Sequence, residues 1–259
     1  MLSELARFQS PLQVIDQYPG WDRVGNFLEA IIDQGQFQRV ADLGGGANPA
    51  ISANFAQSHA LEYCLVDISQ DELDKAPSRY TRKICVDLTA PLQDFQSKVG
   101  GRNFDMVFSH MFLEHIANPV QAHANMHHLL RDGGIAVHLY PSSYNIPLAV
   151  NRLLPEFLTD RLARMAQPER DFDGKVGKFP AFYRMCGNSS EKLRRTFEEL
   201  GYSVLIHAGF VGHVYYRRIP LIRQLESALR PLLVSLRIPM TSAQLLVLQR
   251  NGAAMPACH

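Results

Sequence analysis

The stretch VADLGGGANP, residues 40–49, decides how the rest of the chain reads. The apolar run RVADL (39–43) carries Asp42 and Leu43 directly into Gly44, Gly45 and Gly46. Glycine tolerates a tight turn and lets a ligand approach the main chain, and Pro49 suits the first turn of a helix after it. A helix N-terminus so placed can receive a carboxylate or phosphate. Working outward, EYCLVDI (62–68), RKICVDL (82–88), FDMVFSH (104–110) and GIAVHLY (134–140) are further short apolar runs, spaced by segments long enough for helices. That alternation predicts βαβ units and a mainly parallel sheet. YSVLIHA (202–208) and AQLLVLQ (243–249) read as two closing strands.

Around this centre, residues 1–37 read as an N-terminal helical segment: Val24, Phe27, Leu28, Ile31 and Ile32 recur at helical spacing up to a capping Gly35. A second helix, starting near Asn188, shows Leu193, Phe197 and Leu200 on one face before Gly201. Residues 141–187 form a connection far longer than usual, with a helical pattern of Leu154, Phe157, Leu158, Leu162 and Met165, and read as a lid or substrate-binding insertion. Ile222, Leu225, Leu229, Leu232, Leu233 and Leu236 form a leucine stripe opposite Arg223, Arg230 and Arg237, which read as a solvated helix face, with contact to an anionic membrane surface as the alternative.

Composition fits one soluble domain spanning 1–259: 46% hydrophobic and 20% charged, with 26 basic against 25 acidic residues, gives no global excess of positive charge for a nucleic acid. Cys64, Cys85, Cys186 and Cys258 lack CxxC spacing and read as reduced thiols, so no structural metal is expected. Glu4 and Pro11 interrupt any signal-peptide core, and no apolar run is long enough to span a bilayer. The expectation is a cytoplasmic protein without stable membrane insertion.

The ligand follows from electrical sign. Asp67 closes the second strand about 20 residues after the glycine turn, where a carboxylate can accept both hydroxyls of a ribose. NAD, FAD and S-adenosylmethionine all satisfy that much. A dinucleotide, however, would set its pyrophosphate near Asp42, and like charges at such range disfavour one another. The dinucleotide fingerprint also wants a glycine where Pro49 stands. S-adenosylmethionine instead offers an ammonium and a cationic sulfonium.

Here the chain resembles the class I S-adenosylmethionine-dependent methyltransferases, in the small-molecule, type 11-like branch, from about Trp21 onward. VADLGGGANP (40–49), LVDIS (65–69), CVDLTAPL (85–92), FDMVFSHMFLEHIANP (104–119) and LLRDGGIAVHLYPS (129–142) carry the resemblance in order. It implies a Rossmann-like α/β fold: a seven-stranded, mostly parallel sheet in the order 3-2-1-4-5-7-6, its last strand antiparallel, with helices on both faces. It also implies that Asp42, Gly44 and Gly46 hold the methionyl part, that Asp67 with Ile68 binds the ribose, that Asp87 and Leu88 flank the adenine, and that Ser109 and His110 line the junction of cofactor and substrate. Asn48 replaces a glycine common in the family.

Methyl transfer is an in-line displacement, so positioning dominates and a hydroxyl acceptor gains from a base. His110 is the first candidate base, and since His138 and Tyr140 alternate with Val137 and Leu139 and so share a face of the fifth strand, Tyr140, nearer the mouth, is the second catalytic candidate. Tyr183, Arg184 and His213 are candidate substrate contacts, beside Phe179, Phe182, Tyr215 and Tyr216. His123 and His127 read as surface residues, and Glu114 and His115 as structural. The expected activity is methyl transfer to a small molecule, foremost a hydroxyl of a sugar or secondary metabolite. The rivals are an NAD-dependent oxidoreductase or epimerase and a non-catalytic module binding S-adenosylmethionine.

Overall fold

A computed structural model describes residues 2–100, 104–143, 180–213 and 220–252. Among them lies one eight-stranded sheet. In chain order the strands are β1 (Leu12–Val14), β2 (Arg39–Leu43), β3 (Glu62–Asp67), β4 (Arg82–Cys85), β5 (Phe104–His110), β6 (Leu130–Pro141), β7 (Tyr202–Val211) and β8 (Thr241–Arg250). Their spatial order is β1-β7-β8-β6-β5-β2-β3-β4, with β8 antiparallel to both neighbours and every other pair parallel. The seven expected strands keep their expected order. The eighth, β1, is a three-residue edge strand on β7 inside the segment read as helical.

The helices are α1 (Ser3–Ala6), α2 (Val24–Gly35), α3 (Ala53–Ser58), α4 (Gln70–Lys75), α5 (Leu92–Val99), α6 (Pro119–Leu129), α7 (Glu191–Glu199) and α8 (Pro220–Ser235). Strand alternation sorts the core into two layers. Val40, Met106, Phe108, Val137 and Leu139 face α2, with Phe27, Leu28, Ile31 and Ile32 packed on them. Ala41, Leu43, Val107, Ala136 and Tyr140 face α5, α6 and α7, with Phe95, Met126, Leu129 and Phe197.

Local details amend the sequence reading. Gly35 is the last helical residue of α2, and the left-handed cap is Gln36 at φ 49°. Pro49 precedes α3, whose N-cap is Ser52, its hydroxyl accepting the Phe55 N–H. α7 is capped by Ser190, while Asn188 donates to the Pro239 carbonyl at 2.8 Å. His123 and His127 are buried beneath α6, packed edge-on against Tyr202, and no metal-ligating cluster occurs among the described residues. The stripe of α8 departs from expectation in part: Leu225, Leu229 and Leu232, with Leu236 just beyond the helix, are exposed and Arg230 is buried, while Arg223 and Arg237 are exposed as expected. Cys64 and Cys186 are buried free thiols, and Cys258 lies outside the described residues.

Candidate active site

β2, β3 and β5 end at one edge of the sheet, and there the chain forms a cleft of about 410 Å³. Gly44 follows β2, Asp67 ends β3 and Ile68 follows it, Asp87 and Leu88 follow β4, and Met111, Phe112, His115 and Ile116 come from the turn after β5. This is the position where open parallel sheets hold ligands. A larger, shallower hollow of about 570 Å³ lies between α3 and residues 79–82, away from those strand ends, and contains none of the expected site residues.

The glycine turn is built for close approach. Gly44 has φ +78°, and a Cβ there would stand 2.3 Å from the Phe112 ring; Gly46 has φ +37°, with Asp67 Oδ2 3.0 Å from where its Cβ would be. Both conditions exclude ordinary side chains. Asp67 fixes its own turn by accepting the Ser69 N–H on Oδ1 at 2.9 Å, and burial raises its pKa above the ordinary value. Asp87 is held similarly, Oδ1 accepting the Thr89 N–H and hydroxyl, each at 2.7 Å.

Asp42 does not line the cleft. Its carboxylate is buried inside the glycine turn, where Oδ2 accepts the Tyr63 hydroxyl at 2.6 Å and the Ala50 N–H at 3.0 Å. A Cβ on Gly45 would fall 2.6 Å from its Cγ, so the loop is wrapped around the carboxyl. Burial pushes its pKa up to about 6, against the opposing hydrogen bonds from Tyr63 and Ala50. The expected direct hold on a methionyl group therefore becomes an indirect one. Tyr63 and Tyr80 complete the clamp: Ile51 N–H donates to the Tyr63 oxygen at 3.4 Å, and the Tyr80 hydroxyl donates to the Ile51 carbonyl at 2.9 Å. Neither tyrosine carried a motif, so sequence reasoning missed both.

The last residues of β5 divide by face. Ser109 points to the α6 side, fully buried, its hydroxyl 2.9 Å from His138 Nδ1. His110 points to the α2 side; its Nε2 is buried without a hydrogen-bond partner, and burial lowers its pKa to about 4. Neither lines the cleft proper. Tyr140 shares the face of His138, as the alternation predicted, but that face is core: Tyr140 is fully buried, its hydroxyl 3.4 Å from His207 Nε2. Its place at the mouth is corrected accordingly. Glu114, read as structural, is also buried; its Oε2 has no partner and burial pushes its pKa up to about 7.

The substrate candidates are dispersed. Tyr183 lies with Phe182 over the turn after β5, both backbone N–H groups donating to the Glu114 carbonyl, at 3.1 and 2.7 Å. Arg184 donates to the Ala117 carbonyl at 2.8 Å. His213 sits at the far end of β7, its N–H donating to Glu226 Oε1 at 2.8 Å. Phe179, Tyr215, Tyr216 and the expected lid helix at 154–165 lie outside the described residues.

The cleft suits an adenosine with a positive charge. Its described lining pairs an apolar slot of Ile68, Leu88 and Ile116 with the carboxyls of Asp67 and Asp87, and includes no Lys or Arg to receive a pyrophosphate. Residues 41–136 match the model of a methyltransferase domain family. Among solved structures, a SAM-dependent methyltransferase from Archaeoglobus fulgidus superposes with TM-score 0.52 at 13% identity, covering 91% of this chain and 97% of that one. The CMeT domain of the citrinin polyketide synthase gives 0.51 at 11% identity, covering 90% of this chain and 53% of that one. The CurJ carbon methyltransferase gives 0.50 at 13% identity, with 88% and 53% covered. No curated protein sequence matches the chain. The fold is the one these S-adenosylmethionine-dependent methyltransferases share, and the matched segment is a methyltransferase domain.

Proposed function

We propose that the chain is a class I methyltransferase using S-adenosylmethionine, that its acceptor is a small molecule and the acceptor atom a hydroxyl, as on a sugar or secondary metabolite, and that the transfer takes place in the cytoplasm. Bound S-adenosylmethionine supplies an electrophilic methyl on a positively charged sulfur. The residues proposed to hold it are Gly44 and Gly46 through the backbone, Asp67 with Ile68 at the ribose, Asp87 and Leu88 at the adenine, and Asp42 through the loop it organises. Hydrogen bonds donated by ribose hydroxyls to a charged carboxylate are the strongest single polar contacts such a cleft offers.

One observation carries the acceptor reading: His110 Nε2 is a buried ring nitrogen at the strand end with no partner. Such an atom costs free energy unless a ligand satisfies it. Kept neutral by burial, the imidazole accepts a hydrogen bond from a hydroxyl and receives its proton as the oxygen attacks. The two described ends of the 141–187 insertion support its reading as a lid, since Ser143 N–H donates to the Cys186 carbonyl at 2.9 Å beside the turn after β5. A second reading gives the proton to Glu114, whose carboxyl is pushed towards neutrality and has an oxygen without a partner. The test is transfer of a labelled methyl group to a panel of hydroxyl, amine and carbon acceptors. Preference for hydroxyls supports the proposal; turnover of amines or carbon acids alone contradicts it.

A further inference from the structure

Four enclosed polar atoms at the carboxyl edge of the sheet have no hydrogen-bond partner among the described residues: the Tyr18 hydroxyl, Trp21 Nε1, His110 Nε2 and Glu114 Oε2. Buried polar groups are nearly always paired, so orphans gathered at one edge point to a ligand that satisfies them. β1 runs parallel to β7 with Val14 opposite Val211, and the turns Ile15–Gln17 and Trp21–Arg23 therefore leave on the edge where β5 and β6 also end.

The chain is shaped to hold these side chains there. Tyr18 packs on Phe210 and Trp21, ring centroids 5.0 and 5.8 Å away, and a Cβ on Gly20 would fall 2.4 Å from the Tyr18 ring. Arg23 fastens the same turn by donating to the carbonyls of Asp16 and Tyr18. Trp21 has φ 58° and Met111 φ 54°, left-handed conformations that bulky residues keep only where their surroundings impose them, as happens at ligand sites. Glu114 lies between Phe112 and His115 of the cofactor cleft, its Oε1 3.8 Å from His115 Nε2. Tyr18 and Glu114 are near enough for the carboxyl to raise the tyrosine's pKa, after burial itself, yet they make no hydrogen bond to each other.

These groups select the chemistry of what lies between them. An indole N–H only donates, a carboxylate only accepts, and a tyrosine hydroxyl does both. A hydroxyl serves all three, accepting from Trp21 or Tyr18 while donating to Glu114. An ammonium has donors only and would leave the indole unpaired, whereas an anion would meet the Glu114 carboxyl.

We infer that Tyr18, Trp21 and Glu114 bind a second hydroxyl of the acceptor, so that the site selects neutral polyhydroxylated molecules over single alcohols and amines. The inference rests on the hydroxyl-acceptor reading above, in which His110 serves the hydroxyl that is methylated.

Trp21 is the only tryptophan in the chain, so its fluorescence reports occupancy of this site. With S-adenosylhomocysteine bound, inositol and methyl glucoside should shift that emission saturably, while cyclohexanol and cyclohexylamine bind at least about tenfold more weakly, because they leave buried groups unpaired. Tyr18→Phe should abolish the preference, raising KM for the polyols about tenfold with kcat within about twofold. It should keep wild-type affinity for S-adenosylhomocysteine and an undiminished melting temperature, since the lost hydroxyl has no partner in the described protein. No saturable response to either polyol, equal binding of polyols and cyclohexanol, or tighter binding of cyclohexylamine overturns the inference. A melting temperature lowered by more than about 3 °C in Tyr18→Phe also overturns it, by showing the hydroxyl to be structural. Polyol binding without methylation leaves the binding site standing and removes the hydroxyl-acceptor reading. Methylation of cyclohexanol and the polyols with equal kcat/KM does the reverse.

Discussion

At the scale of single residues, the proposed roles separate by where each polar atom is spent. Asp67 Oδ1 is occupied by Ser69, and the carboxylate fronts the cleft. Asp67→Ala is expected to weaken S-adenosylhomocysteine binding about 10- to 100-fold, as loss of hydrogen bonds to a charged group implies, with the circular dichroism spectrum unchanged. Undiminished affinity would remove the ribose assignment. Tyr140 gives the opposite expectation. Its hydroxyl contacts only His207 at a long 3.4 Å among the described residues, so Tyr140→Phe should cost no more than about 1 kcal/mol of stability and leave turnover within about twofold. A large loss of turnover would return Tyr140 to the catalytic set. The pH profile decides between the two bases. With His110 displaced to about 4, transfer through it is flat down to about pH 5; a limb near pH 7 that Glu114→Gln removes assigns the proton to Glu114.

At the scale of elements, the glycine turn behaves as a loop cast around a buried carboxyl. The Asp42 carboxylate is raised to about 6, above its unfolded value, so its ionised form costs stability above about pH 6, and the penalty fades as pH falls through 6 towards 4. Asp42→Asn should therefore raise the melting temperature relative to wild type more at about pH 8 than at about pH 5, as read by calorimetry. Equal shifts at both values would mean that Asp42 does not ionise in the folded protein. Tyr63 is placed by an interaction invisible in local sequence: it meets Asp42 across the β2–β3 pair. The motif did announce the strand, the turn and the acidic residue after β3. It did not announce that Asp42 would be occupied from within, because that depends on a partner in the neighbouring strand. The alternation along β6 likewise placed His138 and Tyr140 together but not on which layer, since either face of a doubly covered strand is apolar.

At the scale of the whole molecule, the β-run spacing made the parallel sheet legible while the strand order came only from the resemblance, and seven of the eight strands follow it. β1 escaped because three residues carry no periodicity, and their partner in β7 lies almost two hundred residues away. α8 was misread for a related reason: a leucine stripe opposite arginines reads as buried, yet Asp16 and Glu226 recruit Arg230 inward and leave the leucines outside. The two apolar layers and the carboxylate-lined cleft between the strand ends form one account, in which the sign of the charge around the glycine turn selects the ligand. Isothermal calorimetry with S-adenosylhomocysteine and with NAD tests that selection most directly. The account predicts tight, saturable binding of the former and none or far weaker binding of the latter; NAD binding equally well or better would contradict it.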